Sequence, residues 1–150
     1  MSKYLLKAHD FYDHRIRELT EQVRELKEKL EPDQFTRHPT VKFARRIREA
    51  DKTIIPRDPD RPEYWLRADL KKFRRYKRGL KRYRLFFCFA NHPKIILYLY
   101  LNDEKHLRKD GDKNDPYEVF KKFLKQGSVS HNPEDPKIQK WVHKSSGLAA

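Results

Sequence analysis

Cysteine, glycine and long apolar runs are scarce in this chain of 150 residues, and each shortage excludes a class of protein. With Cys88 as the single cysteine, no disulfide framework can form, and we expect a reducing, cytosolic compartment. The four glycines form no G-x-x-x-x-G-K loop, which argues against a nucleotide-driven enzyme. The longest apolar run, Ile95 to Leu101, has seven residues, so neither a transmembrane span nor a signal peptide is expected.

Positive charge is what the sequence has in excess. Lys and Arg number 36 against 22 Asp and Glu, which gives a formal net charge of +14. Aromatic residues make up 13% of the chain, which is typical of a folded domain and not of a disordered polyelectrolyte. Such a charge calls for a polyanionic partner, nucleic acid first of all. An anionic membrane is the weaker alternative, because the first predicted helix has a Glu-rich polar face.

Two helices are predicted in the N-terminal third of the chain. The second begins after Thr40 as N-cap and ends at Ile54-Ile55-Pro56. The first ends at Pro32 and is marked by apolar residues at alternating spacings of four and three, namely Tyr12, Ile16, Leu19, Val23, Leu26 and Leu30.

A β-hairpin is predicted in the middle of the chain. Residues alternate from Arg82 to Ala90, which places Arg82 and Arg84 on one face of the first strand. The second strand, Lys94 to Leu101, is apolar on both faces, so we expect it to be covered on both sides.

A third helix has the clearest boundaries in the sequence. Asp115 is its N-cap, Pro116 its first residue, and Gly127 stands where the C-terminal cap belongs. We predict one domain over residues 1–127 and a partly flexible extension over 128–150, frayed from Ser145 onward.

The segment from Arg67 to Arg84 is the densest functional signal. Ten of its 18 positions are basic, and only Asp69 opposes them. Cations neutralise phosphates and aromatic rings stack on unpaired bases, so this mixture favours single-stranded RNA over a merely solvated face. The basic residues are Arg67, Lys71, Lys72, Arg74, Arg75, Lys77, Arg78, Lys81, Arg82 and Arg84, interrupted by Phe73, Tyr76 and Tyr83.

RNA cleavage needs neither a metal nor another cofactor, and we predict none. The seven histidines show no pairing at metal-ligand spacing. The substrate's own 2′-hydroxyl attacks the adjacent phosphorus if fixed cations stabilise the developing charge and a Lys or Tyr transfers the proton. Arg82 and Arg84 on one strand face are suited to one phosphate, although a purely solvated role is the alternative.

At this point the sequence resembles a known family, the YhaV toxins, relatives of the RelE-like messenger-RNA interferases. Two weaker similarities lie outside the main block, at Ala8-His9 and at Phe73-Arg74-Arg75. The main block consists of Arg82-Tyr83-Arg84-Leu85-Phe86-Phe87, Ile95-Ile96, Asn102-Asp103-Glu104, Leu107-Arg108, Gly111, Asp115, Tyr117, Val119-Phe120 and Gly127.

The resemblance implies a fold, an activity and partners. The fold would be α+β and RelE-like, a small antiparallel sheet packed by two N-terminal helices and one C-terminal helix. The activity would be ribosome-associated messenger-RNA cleavage, by the toxin of a type II toxin-antitoxin system. The partner would be a PrlF-type antitoxin with an AbrB-like swapped-hairpin domain, which carries the complex to operator DNA. A non-catalytic nucleic-acid binder, or a co-repressor acting with its antitoxin, is the alternative.

Site roles follow from the basic segment and the resemblance together. We assign Arg75, Arg82 and Arg84 to the scissile phosphate and Lys77 to proton removal, directly or as an activating cation. Tyr117 is a proton donor or a base-stacking ring, with core packing as the alternative. Asn102, Asp103 and Glu104 are expected in a turn. The predicted RNA-binding residues are Arg67, Lys71, Lys72, Arg74, Arg78, Lys81 and Arg108, of which Arg108 either contacts phosphate or pairs with Asp103.

Overall fold

A five-stranded sheet lies at the centre of the protein within residues 3–145, the part of the chain that the computed structural model describes. Its order is β2-β3-β4-β1-β5. The predicted α+β class is confirmed, and the sheet is antiparallel as predicted except for one pair, because β1 runs parallel to β4. The long connection between these two strands, which includes helices, permits a parallel pair. The strands are β1 (Leu5–His9), β2 (Arg74–Tyr76), β3 (Leu85–Asn91), β4 (Lys94–Leu101) and β5 (Val142–Lys144).

The predicted hairpin is formed by β3 and β4, and β4 is buried on both faces. Ile96 and Tyr98 belong to one apolar cluster, while Leu97 and Leu99 belong to a second cluster on the other side of the sheet. The expectation that both faces of this strand are covered is therefore confirmed.

The first strand of the hairpin is shorter than predicted. It begins at Leu85, and the backbone N–H of Arg84 donates to the side-chain Oδ1 of Asn102 at 2.7 Å instead of joining the sheet. Arg82 and Arg84 thus lie in the loop before the strand. The prediction that they share one face of this strand is wrong.

Two helices follow β1 in the part of the chain before Pro39. The first, α1 (Asp10–Lys29), ends before Pro32 as predicted. The second, α2 (Pro32–Arg37), has no buried residue, so no apolar periodicity reveals it in the sequence. None of the helices within residues 3–145 is long and apolar enough to cross a membrane.

The next helix, α3 (Pro39–Glu49), begins slightly earlier than predicted. Its N-cap is His38, whose Nδ1 accepts a hydrogen bond from the backbone N–H of Thr40 at 3.1 Å. Proline suits the first helical position because it lacks an N–H there. The chain continues through a π-helical turn (Ala50–Ile54) into a short helix, α4 (Ile55–Arg57).

The C-terminal helix, α5 (Pro116–Lys125), has the boundaries that the sequence predicts. Asp115 caps it, because its Oδ1 accepts from the backbone N–H of Tyr117 at 2.8 Å. Gly127 has a φ of +77°, the left-handed conformation that ends many helices. Its residue Phe120 lies in the second apolar cluster, so α5 covers the face of the sheet opposite to α1 and α3.

Residues after α5 return to the sheet. Val129 and Ile138 are buried in the second cluster, and β5 pairs with β1 at the sheet edge. His9, fully buried at the start of α1, accepts from the N–H of Phe11 through Nδ1, and its Nε2 lies 2.8 Å from the carbonyl oxygen of Ser128. The predicted fraying beyond residue 145 lies outside the described residues.

The π-helical turn contains a buried carboxylate, Asp51. Its Oδ2 accepts a hydrogen bond from the hydroxyl of Tyr12 at 2.6 Å, whereas its Oδ1 has no hydrogen-bond partner in the described part of the chain. Burial raises the pKa of Asp51 from 3.8 to about 6, and the hydrogen bond from Tyr12 opposes this only in part. Because the folded carboxyl holds its proton more tightly than the unfolded one, folding stability decreases as pH rises between about 3.8 and about 6.

We predict that Asp51→Asn removes this pH dependence. The amide carbonyl still accepts from Tyr12, and no charge is buried above pH 6. Relative to the wild type, the variant should gain about 2 to 3 kcal/mol in unfolding free energy between pH 4 and pH 8, since the unfolded carboxyl, with a pKa of 3.8, is already partly ionised at pH 4. Urea unfolding of both proteins at each pH measures the difference. A stability difference that is equal at the two pH values would contradict the prediction.

Candidate active site

An open cleft of about 500 Å³ lies between the loop before β2, the loop before α5 and the first turn of α5. Four cations line it against three carboxylates, so its charge balance favours an anion. The lining residues are Trp65, Leu66, Arg67, Leu70, Arg75, Arg108, Asp110, Gly111, Asp115, Tyr117, Glu118 and Lys121.

Strand β2 gives Arg75 its place in the cleft. Arg75 lies opposite Phe86 of β3, whereas Tyr76 packs into the cluster on the other face of the sheet. This alternation turns Arg75 toward the side of the sheet that α5 covers. Its Nη1 donates to the carbonyl oxygen of Glu63 at 3.1 Å, and its Nε is buried with no hydrogen-bond partner among residues 3–145. The guanidinium keeps further donors for a ligand.

A single buried carboxylate, Asp115, fixes the other side of the cleft. Only 1% of Asp115 is exposed, and besides capping α5 it accepts from the backbone N–H of Lys109 at 2.8 Å and from Nη1 of Arg108. The Arg108 guanidinium carbon lies 5.1 Å from the ring centroid of Tyr117. A cation and a phenol are thus held beside each other. Arg108 pairs with Asp115, so the predicted alternative of a pair with Asp103 is wrong.

Asn102 holds the loops on which the cleft depends. It is fully buried directly after β4, and its Nδ2 donates to the carbonyl oxygens of Arg82 at 3.2 Å and His106 at 2.7 Å. Its Oδ1 accepts from the N–H of Arg84, as described above. The sequence predicted only a turn here, because a buried amide that binds three backbone groups, two of them in a distant loop, leaves no periodic signal.

Arg82 lies directly beside Arg108. The backbone N–H of Arg108 donates to the carbonyl of Arg82 at 3.0 Å, and Nε of Arg82 donates to the carbonyl of Arg108 at 3.1 Å. In Arg84, Nη1 donates to the carbonyl oxygens of Lys81 and Tyr83 at 2.7 and 2.8 Å. Both arginines therefore support the loop before β3 as well as carrying charge.

The cleft includes four of the predicted site residues and leaves out the rest. Arg67, Arg75, Arg108 and Tyr117 line it. Arg74, next to Arg75 on β2, pairs with Asp60 and lies over the ring of Phe89 on the other face of the sheet. Arg78 pairs with Glu63. Lys81 lines a different cavity, of about 760 Å³, between α1, α3 and the loop before β3, while Lys71, Lys72 and Lys77 are exposed outside both cavities.

The comparison with known proteins decides the family. Residues 6–140 match the model of the YhaV toxins, described as a toxin with endonuclease activity of a toxin-antitoxin system. The chain belongs to this family. The ribonuclease toxin YhaV of Escherichia coli K12 is 33% identical over 137 residues, covering 88% of this chain and 86% of that protein. The toxin YhaV of E. coli O157:H7 gives the same values. No solved structure matches the chain.

Membership confirms the predicted family and the predicted class of enzyme, an endonuclease. It also gives the protein an antitoxin as its partner, since the family's toxins act within toxin-antitoxin systems. The similarity extends over all the segments that line the cleft, because the matched range contains residues 65 to 121.

Proposed function

We propose that the protein is a toxin that cleaves messenger RNA in this cleft, by attack of the RNA's own 2′-hydroxyl and without a metal ion. The observation that carries the proposal is the convergence of Arg75, Arg108 and Tyr117 on one open cleft. The name of the K12 relative, a ribonuclease toxin, supports RNA as the substrate.

The reaction requires charge stabilisation and two proton transfers. The 2′-oxygen attacks phosphorus and the bond from phosphorus to the 5′-oxygen breaks, which leaves a 2′,3′-cyclic phosphate and a 5′-hydroxyl. Arg75 and Arg108 stabilise the charge on the phosphoryl oxygens. Tyr117 donates a proton to the leaving 5′-oxygen. Asp110 and Glu118 are the cleft carboxylates free of a helix-capping role, and one of them accepts the 2′ proton; Lys77, the predicted base, lies outside the cleft.

Cations outside the cleft guide the rest of the RNA chain. Arg67 lies at the cleft, and Arg82 and Arg84 keep donors beyond those that bind backbone carbonyls. We propose that these three contact phosphates next to the scissile one. The exposed residues Lys71, Lys72, Lys77, Arg78 and Lys81 add long-range attraction, which makes binding weaken with salt.

The proposed partners follow the family. The antitoxin is of the PrlF type, with a swapped-hairpin domain that brings the complex to operator DNA, and it neutralises the toxin by covering the cations that RNA needs. Cleavage takes place on messenger RNA at the ribosome, in the cytoplasm. A RelE-like arrangement of the sheet is part of the same proposal.

The test is cleavage of labelled messenger RNA by the purified protein in excess EDTA, with and without ribosomes. We expect cleavage in the chelator, and growth arrest when the toxin is expressed without its antitoxin. Tight RNA binding with no cleavage in either condition would favour the non-catalytic alternative. Cleavage that EDTA abolishes and added metal restores would contradict the metal-free mechanism.

A further inference from the structure

The cavity between α1, α3 and the loop before β3 takes no part in the cleavage chemistry proposed above. Its volume is about 760 Å³, and it shares no lining residue with the cleft. Among the described residues, six cations line it against two carboxylates, so its charge favours an anionic ligand. The carboxylates are Glu25 and Glu104, and the cations are Arg15, Lys29, Arg37, Lys42, Arg46 and Lys81.

Arg15 is a buried cation in this cavity without an acidic partner. Only 6% of the residue is exposed, and within residues 3–145 its guanidinium pairs with no carboxylate. Its Nε donates to the backbone carbonyl of Asn102 at 3.2 Å, which is its one hydrogen bond among the described residues. Buried arginines are normally paired, because an uncompensated charge away from water is costly. The four N–H groups on its two Nη atoms therefore remain for a ligand.

Two aromatic rings hold the Arg15 guanidinium in place. Its central carbon lies 6.0 Å from the ring centroids of both Phe43 and Tyr83, and these two rings pack on each other with centroids 4.6 Å apart. Together with the bond to Asn102, they fix the direction of the guanidinium fork before a ligand arrives. A fork that is already oriented suits a planar carboxylate, which it binds through two parallel hydrogen bonds.

The walls of the cavity favour a peptide as the ligand. Three leucines line it beside the aromatic pair, Leu19 and Leu26 from α1 and Leu80 from the loop before β3. A sugar-phosphate chain offers leucines little apolar surface, whereas an amphipathic peptide places carboxylates on the cations and apolar side chains on the leucines. The protein partner that the family provides is an antitoxin.

We propose that this cavity binds an acidic, amphipathic segment of the antitoxin, and that one carboxylate of the segment pairs with Arg15. The inference rests on the family's antitoxin and not on the cleavage chemistry. A segment in the cavity covers Lys81, one of the cations proposed to attract RNA, and contacts the loop that carries Arg82 and Arg84. It does so from the side of the sheet opposite to α5 and leaves the cleft itself open.

The affinity of Arg15→Met for the purified antitoxin tests the buried contact. We expect binding to weaken roughly thirtyfold or more, the scale for losing one partner of a buried charge pair. Arg15→Lys should recover part of the affinity, since it keeps the charge and loses the fork. Urea unfolding of the toxin alone should change little for Arg15→Met, because the substitution also removes a buried charge that has no acidic partner. Wild-type antitoxin affinity in folded Arg15→Met would overturn the proposal.

A matched pair of exposed cations on α3 tests the cavity without touching the buried site. Lys42 lines the cavity, whereas Arg45, three residues later, does not. Lys42→Glu should weaken antitoxin binding about tenfold, because it places a carboxylate against the acidic segment. Arg45→Glu makes the same charge change outside the cavity and should bind nearly as the wild type does. Equal losses in the two variants would assign the effect to net charge and overturn the site.

Two further measurements distinguish other occupants of the cavity. A 2′-O-methyl oligoribonucleotide, which is not cleaved, should bind Lys42→Glu and Arg45→Glu equally well. A loss of RNA affinity in Lys42→Glu as large as its loss of antitoxin affinity would assign the cavity to RNA. A dimer of the toxin alone that Lys42→Glu dissociates in sedimentation would assign it to a second copy of the chain. Either result would overturn the antitoxin site.

The outcomes separate this inference from the proposed function. Weakened antitoxin binding by Arg15→Met and Lys42→Glu in a protein that does not cleave RNA would support the antitoxin site and contradict the proposed cleavage. Wild-type antitoxin binding by both variants would overturn the antitoxin site and leave cleavage in the cleft intact.

Discussion

Arg75→Ala should reduce RNA cleavage by about 10²- to 10³-fold, the usual cost of losing one preorganised charge contact to a transition state. Arg75 is the cleft arginine that a strand of the sheet positions, and its buried Nε has no hydrogen-bond partner within residues 3–145. The fold should change little, because among the described residues its guanidinium makes one exposed hydrogen bond, to the carbonyl of Glu63. Single-turnover cleavage beside a thermal melt measures both effects.

Two further variants make the Arg75 result specific. Arg45→Ala removes the same charge from the exposed side of α3, away from the cleft, and should cleave nearly as fast as the wild type. Arg75→Lys should recover only part of the activity, since an ammonium lacks the guanidinium's two-pronged geometry. An equal loss in Arg45→Ala would show that overall charge, and not the cleft, determines the rate.

Asn102→Ala should have the largest effect on stability. The substitution leaves the N–H of Arg84 and the carbonyl of His106 without their partner in a part-buried site, and it removes one of the two hydrogen bonds to the carbonyl of Arg82. At about 1 to 3 kcal/mol for each unsatisfied group, the unfolding free energy should fall by roughly 3 kcal/mol or more. Cleavage should also decrease at temperatures where the variant is still folded, because these bonds position the loops of Arg82 and Arg108.

A matched control for Asn102 is Asn91, at the end of β3. Its Oδ1 accepts one exposed hydrogen bond, from the hydroxyl of Tyr4, so Asn91→Ala should cost much less. Urea unfolding of the two variants gives the comparison. Equal stabilities for Asn91→Ala and Asn102→Ala would mean that the buried amide does not hold these loops together.

Local signals in the sequence predicted the elements that carry such signals. Asp115, Pro116 and Gly127 mark both ends of α5 through capping chemistry, and the two-sided apolar pattern of β4 predicted its burial. In contrast, β2 and β5 have three residues each, too few for a periodicity, and α2 buries none. The parallel pairing of β1 with β4 is a long-range contact that no local pattern encodes.

The sequence predicted that the site contains a basic segment, but not which of its residues face the cleft. The cluster from Arg67 to Arg84 was evident, yet the pleat of β2 separates Arg74 from Arg75 onto opposite faces. Arg108 and Tyr117 came from the family resemblance alone.

The chemistry of the cleavage products tests the proposed mechanism most directly. Labelled RNA is cleaved by the purified protein in EDTA, with ribosomes if they are required, and the new ends are identified by mass spectrometry. Attack by the 2′-hydroxyl predicts a 2′,3′-cyclic phosphate on one fragment and a 5′-hydroxyl on the other, with no cleavage where that nucleotide is 2′-deoxy. A 3′-hydroxyl paired with a 5′-phosphate, or undiminished cleavage of the 2′-deoxy substrate, would contradict it.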